Sequence, residues 1–486
     1  MDLFIIILFF VIFLGIGFLF SKSNQTSSDY YKGGGAIPWP VAMFSIVATE
    51  TSVLTFISIP SLSYRSDWWF LQLAIGYIIG RVLVSFILLP KYFSNDIVSI
   101  YEVIGGYFGR PVQKLSSIIF LITRLLADGI RFLATAIIFN ILTGWGIVPS
   151  VFIIGIITLI YSYWGGIRSI LWIDSLQFLV YLFGGLISIY FLSSNLPSGL
   201  VFSSIGDSMK TIFHYDGSIL RDSNLFINGI IGGTFLSFAS HGADYMMAQR
   251  ALSCKDLGAA KKAMIGSGVF VFIQFSIFLL VGTLLAEYFQ TQNLESLQIS
   301  SDYVDAQWNV LKDREFPLFI NYFLSPGIRG ILLVGVLSAA MSTISSSINA
   351  LSSSTVRDVL NIKDDIKLSK IISIFWAFAL IFIASVFDES NSLLLITGLR
   401  IASFTYGILL SLFLLSLLEI KPKDLHIVIG SICGVVSVFL MQSNAISWTW
   451  FIMVSTLVTM SVSIGLSLIF PREHDMKFPR EHDTNS

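Results

Sequence analysis

The chain has 486 residues, of which 55% are hydrophobic and 12% charged, and its formal net charge at pH 7 is −1. Soluble domains carry about 25% charged residues, so the composition excludes an ordinary soluble protein and predicts one that crosses a membrane many times. The near-neutral charge, without a basic stripe, gives no indication of nucleic-acid binding. The two cysteines, Cys254 and Cys433, predict neither a disulfide framework nor a metal site.

Thirteen apolar runs are long enough to cross a bilayer as helices, so the predicted fold class is an all-α polytopic membrane protein with about 13 transmembrane helices. The first run follows Asp2 and precedes Lys22 and Lys32, a charge order that favours a retained anchor with its N-terminus outside. The runs cover residues 3–20, 37–64, 68–90, 115–143, 147–163, 171–194, 224–247, 260–285, 327–356, 368–387, 391–418, 425–441 and 447–470.

The basic residues of the loops support this orientation. With thirteen spans, the segments predicted to lie inside contain 19 of the 29 Lys and Arg residues, and those predicted to lie outside contain 6. This asymmetry follows the positive-inside rule. We therefore expect a multi-pass protein of the cell membrane with its N-terminus outside and its C-terminus in the cytoplasm.

Polar residues interrupt two of the runs. In the run 37–64, the segment from Ala48 to Ser52 contains four consecutive polar residues, including Glu50. Such groups are costly in hydrocarbon, and a helix unwound there would expose carbonyl oxygens that can bind a cation. The run 224–247 ends in a similar polar stretch that includes Asp244.

Interrupted runs at corresponding places predict two five-helix units related as an inverted repeat, with two discontinuous helices. The predicted organisation is an N-terminal extra helix with an inside loop (1–36), the first unit (37–194), an outside loop (195–223), the second unit (224–418) with its own outside loop (286–326), two C-terminal helices (419–470) and a cytoplasmic tail (471–486).

The run 327–356 is rich in serine. Four small or hydroxyl-bearing residues fall at i, i+3, i+4 and i+7 and therefore share one face of a helix. They are Ala339, Ser342, Thr343 and Ser346. That face offers the oxygen ligands that hard cations prefer, and a stripe of small residues is equally typical of close helix packing in membranes. The spacing alone leaves both interpretations open.

Four motifs spread over nearly the whole chain resemble those of the sodium:solute symporter family. They are Asp29-Tyr-Tyr-Lys-Gly-Gly-Gly35; Ala48-Thr-Glu-Thr-Ser52 with Phe56 and Pro60; Tyr163-Trp-Gly-Gly-Ile-Arg168 followed by Trp172-Ile-Asp174 and Gln177; and the stretch from Asp244 to Arg250 ahead of the serine-rich run. The resemblance implies a leucine-transporter-like inverted-repeat fold. It also implies sodium-coupled import, by alternating access, of a small polar organic solute such as a carboxylate, a sugar acid or a sugar.

The same resemblance implies a set of sodium ligands. One site would use the backbone carbonyls of Ala48, Thr51 and Ala339 and the hydroxyls of Ser342 and Thr343. A possible second site matches Asp174, Ser342, Ser345 and Ser346. For Asp174, pairing with Arg168 is the structural alternative.

Family position also implies that Glu50, Ser52, Thr55 and Phe70 face the central cavity. Glu50 would contact a polyol or ammonium substrate, or else pair with a nearby arginine. Phe70 lies in an aromatic cluster and could instead belong to the interfacial belt.

Arg124, Asp128 and Arg131 fall at i, i+4 and i+7 and form one stripe. An arginine there, Arg131 above all, could bind a substrate carboxylate through its fork, and the alternative is internal pairing with Asp128 or Glu50. Arg400 would either line the cavity or hold its own helix.

Three further polar residues favour structural interpretations. His241 is predicted to be a packed, hydrogen-bonded residue more than a proton relay. Gln249 and Arg250 are predicted to anchor an inside loop more than to bind a ligand.

Other functional classes fit less well. A channel would need a continuous polar pore, and an enzyme would need a catalytic constellation, which the sequence does not show. A transporter-like nutrient sensor and a sodium-coupled anion carrier are the alternative functions. The expected partners are sodium, a small-molecule substrate and the bilayer, with no obligatory protein partner evident. The pattern from Ala48 to Pro60 is nearer to the acid and anion carriers of the family than to its sugar carriers.

Overall fold

The structure, a computed structural model, describes all residues except 22–25, 36, 95–96, 211, 387–393, 419–420 and 471–486, and it leaves the side chains of residues 210 and 394–401 undescribed. The described residues form helices joined by loops, with two isolated bridges between extended residues. The prediction of an all-α fold is confirmed.

The first half of the chain contains ten helices. They are α1 (Asp2–Ser21), α2 (Ser27–Lys32), α3 (Trp39–Glu50), α4 (Val53–Arg65), α5 (Phe70–Leu83), α6 (Leu89–Phe93), α7 (Tyr101–Phe108), α8 (Arg110–Thr143), α9 (Ile147–Ser194) and α10 (Ser198–Lys210). A π-helical turn, Val84–Leu88, joins α5 to α6. The 48 residues of α9 bend at Gly166, whose φ of 56° suits a residue without a Cβ.

Among the described residues, the second half contains nine α-helices, and the serine-rich helix continues into a π-helical turn, Thr355–Val359. The helices are α11 (Phe226–Gly242), α12 (Tyr245–Leu252), α13 (Leu257–Gln290), α14 (Glu315–Tyr322), α15 (Ile328–Ser354), α16 (Ile366–Val386), α17 (Leu394–Leu415), α18 (Asp424–Ser443) and α19 (Phe451–Ile469).

Each of the thirteen predicted runs falls on one or more of these helices. Among the described residues, nine helices are long and apolar enough to cross a membrane, or ten if the bent pair of α3 and α4 is one span. The difference from thirteen arises because α9 covers two of the runs, α11 has 17 residues, and the run 391–418 extends into residues outside the description. The number of spans and the division into two five-helix units stay predictions.

Two helices are discontinuous where polar residues interrupt the predicted runs. The axes of α3 and α4 differ by 66° at the break formed by Thr51 and Ser52. The second break separates α11 from α12 at Ala243 and Asp244.

The serine-rich helix α15 lies at the centre of the molecule. In its most apolar stretch of 18 residues, 94% of the residues are buried, whereas the corresponding share in α1 is 11%. It packs against α9, α8 and α3. The close packing of α5 on α11 depends on glycine. A Cβ on Gly76 of α5 would lie only 2.5 Å from the carbonyl oxygen of Ile230 in α11 and would therefore clash with it.

Candidate ion and substrate site

The first break leaves the end of α3 without helical partners. Thr51 (φ −83°, ψ 93°) and Ser52 (φ −83°, ψ 173°) are extended, so the hydrogen-bond ladder stops after Thr51 N–H donates to the Val47 carbonyl at 2.9 Å. The last carbonyls of a helix have no intrahelical donor, and they carry the negative end of the helix dipole. Oxygen atoms suited to a cation are therefore exposed inside the bundle.

These oxygens lie against the serine-rich helix. Ala48 and Thr51 line a small cavity of about 180 Å³ together with Ala339 and Ser342. The hydroxyl of Ser342 is buried and has no hydrogen-bond partner among the described residues. Thr343 Oγ1 lies between α15 and the end of α3, 3.4 Å from the Ala339 carbonyl and 3.5 Å from the Thr49 carbonyl.

The structure thus brings all five predicted residues of the first sodium site together. The other lining residues of the cavity, Gln177, Phe178, Tyr181 and Ser338, carry no charge. A bound cation would therefore meet oxygen dipoles and no repulsive neighbour in the lining. The contributions of Gln177 and Ser338 were not predicted from the sequence.

Two residues of the possible second site, Asp174 and Ser346, contact the guanidinium of Arg250. Arg250 is fully buried, and its Nη2 lies 3.3 Å from Asp174 Oδ2 and hydrogen-bonds to the hydroxyl of Ser346. Asp174 Oδ2 also accepts from Ser45 at 2.7 Å. Ser345 donates to the Ser342 carbonyl at 3.1 Å.

Two expectations meet here. Arg250 is an anchor, as predicted, since its fully buried side chain ties α12 to Asp174 in the core. The alternative pairing of Asp174 with Arg168 is wrong, because Asp174 pairs with Arg250, while the Arg168 guanidinium lies 6.0 Å from the ring of Phe20. Gln249 does act as an anchor, since its amide donates to the Tyr31 carbonyl and to Asn349, both at 2.7 Å.

A second, larger cavity of about 740 Å³ begins at the same break. Five of the six predicted substrate residues line it, and the side chain of the sixth, Arg400, lies outside the described residues. The lining residues are Glu50, Ser52, Leu54, Thr55, Ile59, Phe70, Tyr77, Arg124, Arg131, Leu236, Ser240, His241, Met247, Phe275, Ala402 and Tyr406. Phe70 packs edge-on against Phe275 with ring centroids 5.2 Å apart, so its assignment to the interfacial belt is wrong.

Glu50 pairs with an arginine, which was one of its two predicted alternatives: its Oε2 accepts from the fully buried guanidinium of Arg81. It also lines the cavity, with 17% of its side chain exposed, and its contact with a substrate stays a prediction. His241 Nε2 lies 3.7 Å from the same oxygen. The role of Arg81 was missed, although a charged residue inside the run 68–90 was a signal of function.

His241 is packed as predicted: it is buried, and its Nδ1 lies 2.9 Å from Ser240 Oγ and 3.2 Å from the Ser237 carbonyl.

The arginines of α8 differ in how fully they are paired. Arg124 is buried and contacts Asp244 Oδ2 through Nε at 2.7 Å, Tyr406 at 2.7 Å and Asp128 at 3.3 Å. Arg131 contacts Asp128 through Nη1 at 3.0 Å, and 16% of its side chain is exposed. Both arginines are therefore paired with carboxylates of the protein, and Arg131 is the more exposed of the two.

Comparisons with known proteins agree with this geometry. The sequence profile of the sodium:solute symporter family matches residues 30–434, so the chain belongs to the sodium:solute symporter family. The resemblance predicted from the motifs is thus confirmed, as is the class of membrane transporter rather than enzyme.

Individual relatives are more distant. A human sodium-coupled monocarboxylate transporter 2 is 28% identical over 358 residues, which are 72% of this chain and 56% of that protein. The chain therefore matches little more than half the length of this relative. A sodium/sialic acid symporter, SiaT of Proteus mirabilis (strain HI4320), is 26% identical over 449 residues, 87% of this chain and 86% of that protein.

A solved structure shows the same fold. A Na⁺-coupled sialic acid symporter, described in a substrate-bound outward-open state, superposes with a TM-score of 0.85 over 96% of this chain and 98% of that one. Sequence identity in this pair is 22%, so the likeness shows the fold alone. The predicted leucine-transporter-like architecture is confirmed.

Proposed function

We propose that this protein is a sodium-coupled symporter that imports a small organic anion carrying a carboxylate, by alternating access. The observation that carries the proposal is the position of the first break. Its carbonyl and hydroxyl oxygens face an uncharged pocket on one side, and the adjoining residues face an arginine-bearing cavity on the other.

Sodium is assigned to the pocket between the end of α3, α9 and α15. Its ligands are the carbonyls of Ala48, Thr51 and Ala339 and the hydroxyls of Ser342 and Thr343. Two physical facts support the assignment: the last carbonyls of α3 have no intrahelical donor, and Ser342 Oγ is buried without a partner among the described residues. An unsatisfied buried hydroxyl costs about 1–3 kcal/mol, a cost that a bound cation would remove.

The carboxylate is assigned to the space between the start of α4 and Arg131. Ser52 precedes the first turn of α4 and makes no side-chain capping bond, so the first N–H groups of α4 are open to a ligand. A helix N-terminus favours an anion, and discontinuous transporter helices use this end for substrate carboxylates. Arg131 supplies a fork that can bind both oxygens.

Charge balance explains how sodium would be coupled to the anion. Among the described side chains, the cavity and its immediate partners contain three arginines and three carboxylates. They are Arg81, Arg124, Arg131, Glu50, Asp128 and Asp244. These six charges cancel, so one sodium ion adds a net positive charge that attracts a monoanion. Sodium would then raise the affinity for a monoanion.

The second sodium position stays a prediction. In this conformation Arg250 supplies the positive charge beside Asp174, so a sodium ion there would have to share the carboxylate with a fully buried guanidinium. The single site at the break is sufficient for coupling.

Alternating access requires contacts that can be released. At the end of the molecule predicted to lie inside, Tyr31 Oη contacts Ser352 Oγ of α15 at 2.7 Å, and Ser27 Oγ donates to the Lys363 carbonyl at 3.0 Å. These contacts join α2 to α15 and to the loop that follows it. We expect them to break when the cavity opens to the cytoplasm.

The first test compares carboxylates with neutral sugars in thermal unfolding of the purified full-length protein, in sodium and in choline. We expect stabilisation by a carboxylate that requires sodium. The active compound is then tested for uptake into proteoliposomes under an inward sodium gradient. Sodium-dependent accumulation supports a symporter. Sodium-dependent binding without accumulation would indicate a sensor, and stabilisation by neutral sugars alone would contradict the anion assignment.

The second test concerns the predicted carboxylate ligand. Arg131→Gln removes a charge-assisted hydrogen bond worth about 1.5–3 kcal/mol, so the concentration of carboxylate for half-maximal uptake should rise roughly 10- to 150-fold. Arg168→Gln, an arginine outside the cavity, serves as the control. An unchanged carboxylate affinity in Arg131→Gln would overturn this role.

A further inference from the structure

A large groove lies on the surface of the bundle, away from the sodium and substrate sites. It has a volume of about 1420 Å³ including its mouth and is bounded by α1, α8, α9, α14 and α15. Its apolar walls include Phe10, Phe139 and Leu337.

The polar residues of this groove are confined to one end. Asp2 begins α1, Arg329 is the second residue of α15, and Thr143 ends α8. All three line the groove within one turn of a helix end, where Trp145 also lies, 46% exposed. Helix ends and exposed tryptophans are typical of the membrane–water interface.

The groove is as deep as one leaflet. Phe10 lies eight residues beyond Asp2 along α1, and Leu337 lies eight residues beyond Arg329 along α15, which is about 12 Å in each case. One leaflet of hydrocarbon is about 15 Å thick. The groove therefore runs from the interface towards the middle of the bilayer with apolar walls throughout.

The side chains at the polar end include one charge of each sign. Arg329 Nε lies 2.6 Å from Asp2 Oδ2, and Asp2 Oδ1 accepts from the Gly327 N–H at 2.7 Å. About 34% of the Arg329 side chain and 15% of the Asp2 side chain are exposed. A guanidinium beside a carboxylate complements a headgroup that contains a phosphate beside an ammonium group.

We propose that this groove binds one phospholipid with a zwitterionic headgroup, its phosphate at Arg329, its ammonium group at Asp2 and an acyl chain along α1 and α15. The inference goes beyond the proposed transport function and does not depend on the identity of the substrate.

Native mass spectrometry of the detergent-purified full-length protein tests this. Phosphatidylethanolamine and phosphatidylglycerol with identical acyl chains are titrated in turn. Ile7→Trp and Leu3→Trp fill the groove from α1, where both residues line it and are 51% and 62% exposed. Leu8→Trp is the matched control, because Leu8 is 45% exposed on the same helix and does not line the groove.

We expect wild-type protein and Leu8→Trp to bind one phosphatidylethanolamine, and the two groove variants to bind it at least about tenfold more weakly. Asp2→Asn combined with Arg329→Gln should keep binding but lose the preference over phosphatidylglycerol. Soluble glycerophosphoethanolamine, which has the headgroup without acyl chains, should not compete.

Three outcomes would overturn the proposal: equal binding by the groove variants and Leu8→Trp, wild-type binding of phosphatidylglycerol at least as tight as that of phosphatidylethanolamine, or competition by the soluble headgroup. A cooperative thermal unfolding transition in each variant, measured without sodium, shows that the protein is folded, so a failure here is distinct from a failure of the proposed transport function.

Discussion

The two broken helices of this protein have opposite chemistry. At the second break, Asp244 Oδ1 accepts from the Met246 N–H at 2.9 Å, while Oδ2 accepts from Arg124 at 2.7 Å and from Tyr406 at 3.0 Å. At the first break, Ser52 makes no capping bond, and the nearby hydroxyl of Ser342 has no partner among the described residues.

The difference separates a structural break from a binding site. Interrupting a helix inside a membrane frees polar groups that must be satisfied. At the second break, Tyr92 and Tyr101 donate to the carbonyls of Gly242 and Ala243 at 2.6 and 3.2 Å, and Asp244, itself paired with Arg124, accepts from the Met246 N–H. At the first break, Glu50 is paired with Arg81, but the last carbonyls of α3 face the pocket, and this is the reason for assigning sodium to it.

Disrupting the second break should produce the largest effect. Arg124→Gln leaves Asp244 buried without its cation, which costs about 3–5 kcal/mol. We expect a large fall in the thermal unfolding midpoint, measured without sodium or substrate. Adding Asp244→Asn should restore part of the stability, because no unpaired charge then remains at the break. A single variant as stable as wild type would show that this ion pair does not hold the break.

Replacing Arg250 tests whether sodium can bind beside Asp174 as well as at the first break. Arg250→Gln leaves Asp174 without a positive partner, so we expect lower stability without sodium and a larger stabilisation by sodium than in wild type. A sodium concentration about 100 times Kd would raise the free energy of unfolding by about 2.7 kcal/mol. The measurement is the sodium dependence of the unfolding midpoint.

The control for this prediction is the double variant Arg250→Gln with Asp174→Asn, in which the additional sodium effect should disappear. An identical sodium response in wild type and Arg250→Gln would show that the oxygens around Asp174 do not bind sodium even when the guanidinium is removed.

Two hydroxyls test the first break directly. Ser342→Ala or Thr343→Ala removes one of five proposed sodium ligands, and we expect the sodium concentration for half-maximal transport to rise about tenfold, or about 1.4 kcal/mol. Ser353→Ala is the control, since Ser353 lies on the same helix, contacts Tyr245 Oη at 2.8 Å and does not line the pocket. Equal effects in Ser353→Ala and Ser342→Ala would contradict the assigned geometry.

The smallest effect concerns the far end of α4. Arg65, its last residue, pairs with Glu315 of α14 at 2.6 Å. Burial raises the pKa of Glu315 above its usual value, chiefly by desolvation of the carboxylate. The folded state then holds a proton that the unfolded state loses first, so this group's contribution to stability falls as the pH rises from the usual glutamate pKa through the raised one.

We therefore expect the free energy of unfolding of the wild-type protein to fall relative to that of Glu315→Gln as the pH rises through this window. The fall should be less than about 1.4 kcal/mol per pH unit. A constant difference between the two proteins across the window would show that Glu315 does not titrate there.

Much of the architecture could be predicted because hydrocarbon imposes strict rules on sequence. The apolar runs, the polar interruptions near Ser52 and Asp244, and the family motifs each follow from local residues. The proposed sodium ligands, from Ala48 to Thr343, could be named from the sequence because the family resemblance implies them. Only the tertiary structure shows the end of α3 packed against α9 and α15 around one pocket.

The pairing of buried charges could not be predicted, since it joins residues far apart in sequence. Arg250 meets Asp174 across 76 positions, and Arg124 meets Asp244 across 120. The sequence by itself determined a membrane protein with two interrupted helices and a hydroxyl-lined one. Only the tertiary structure decided which interruption is closed by an ion pair and which stays open, because that depends on the partner each break meets inside the bundle.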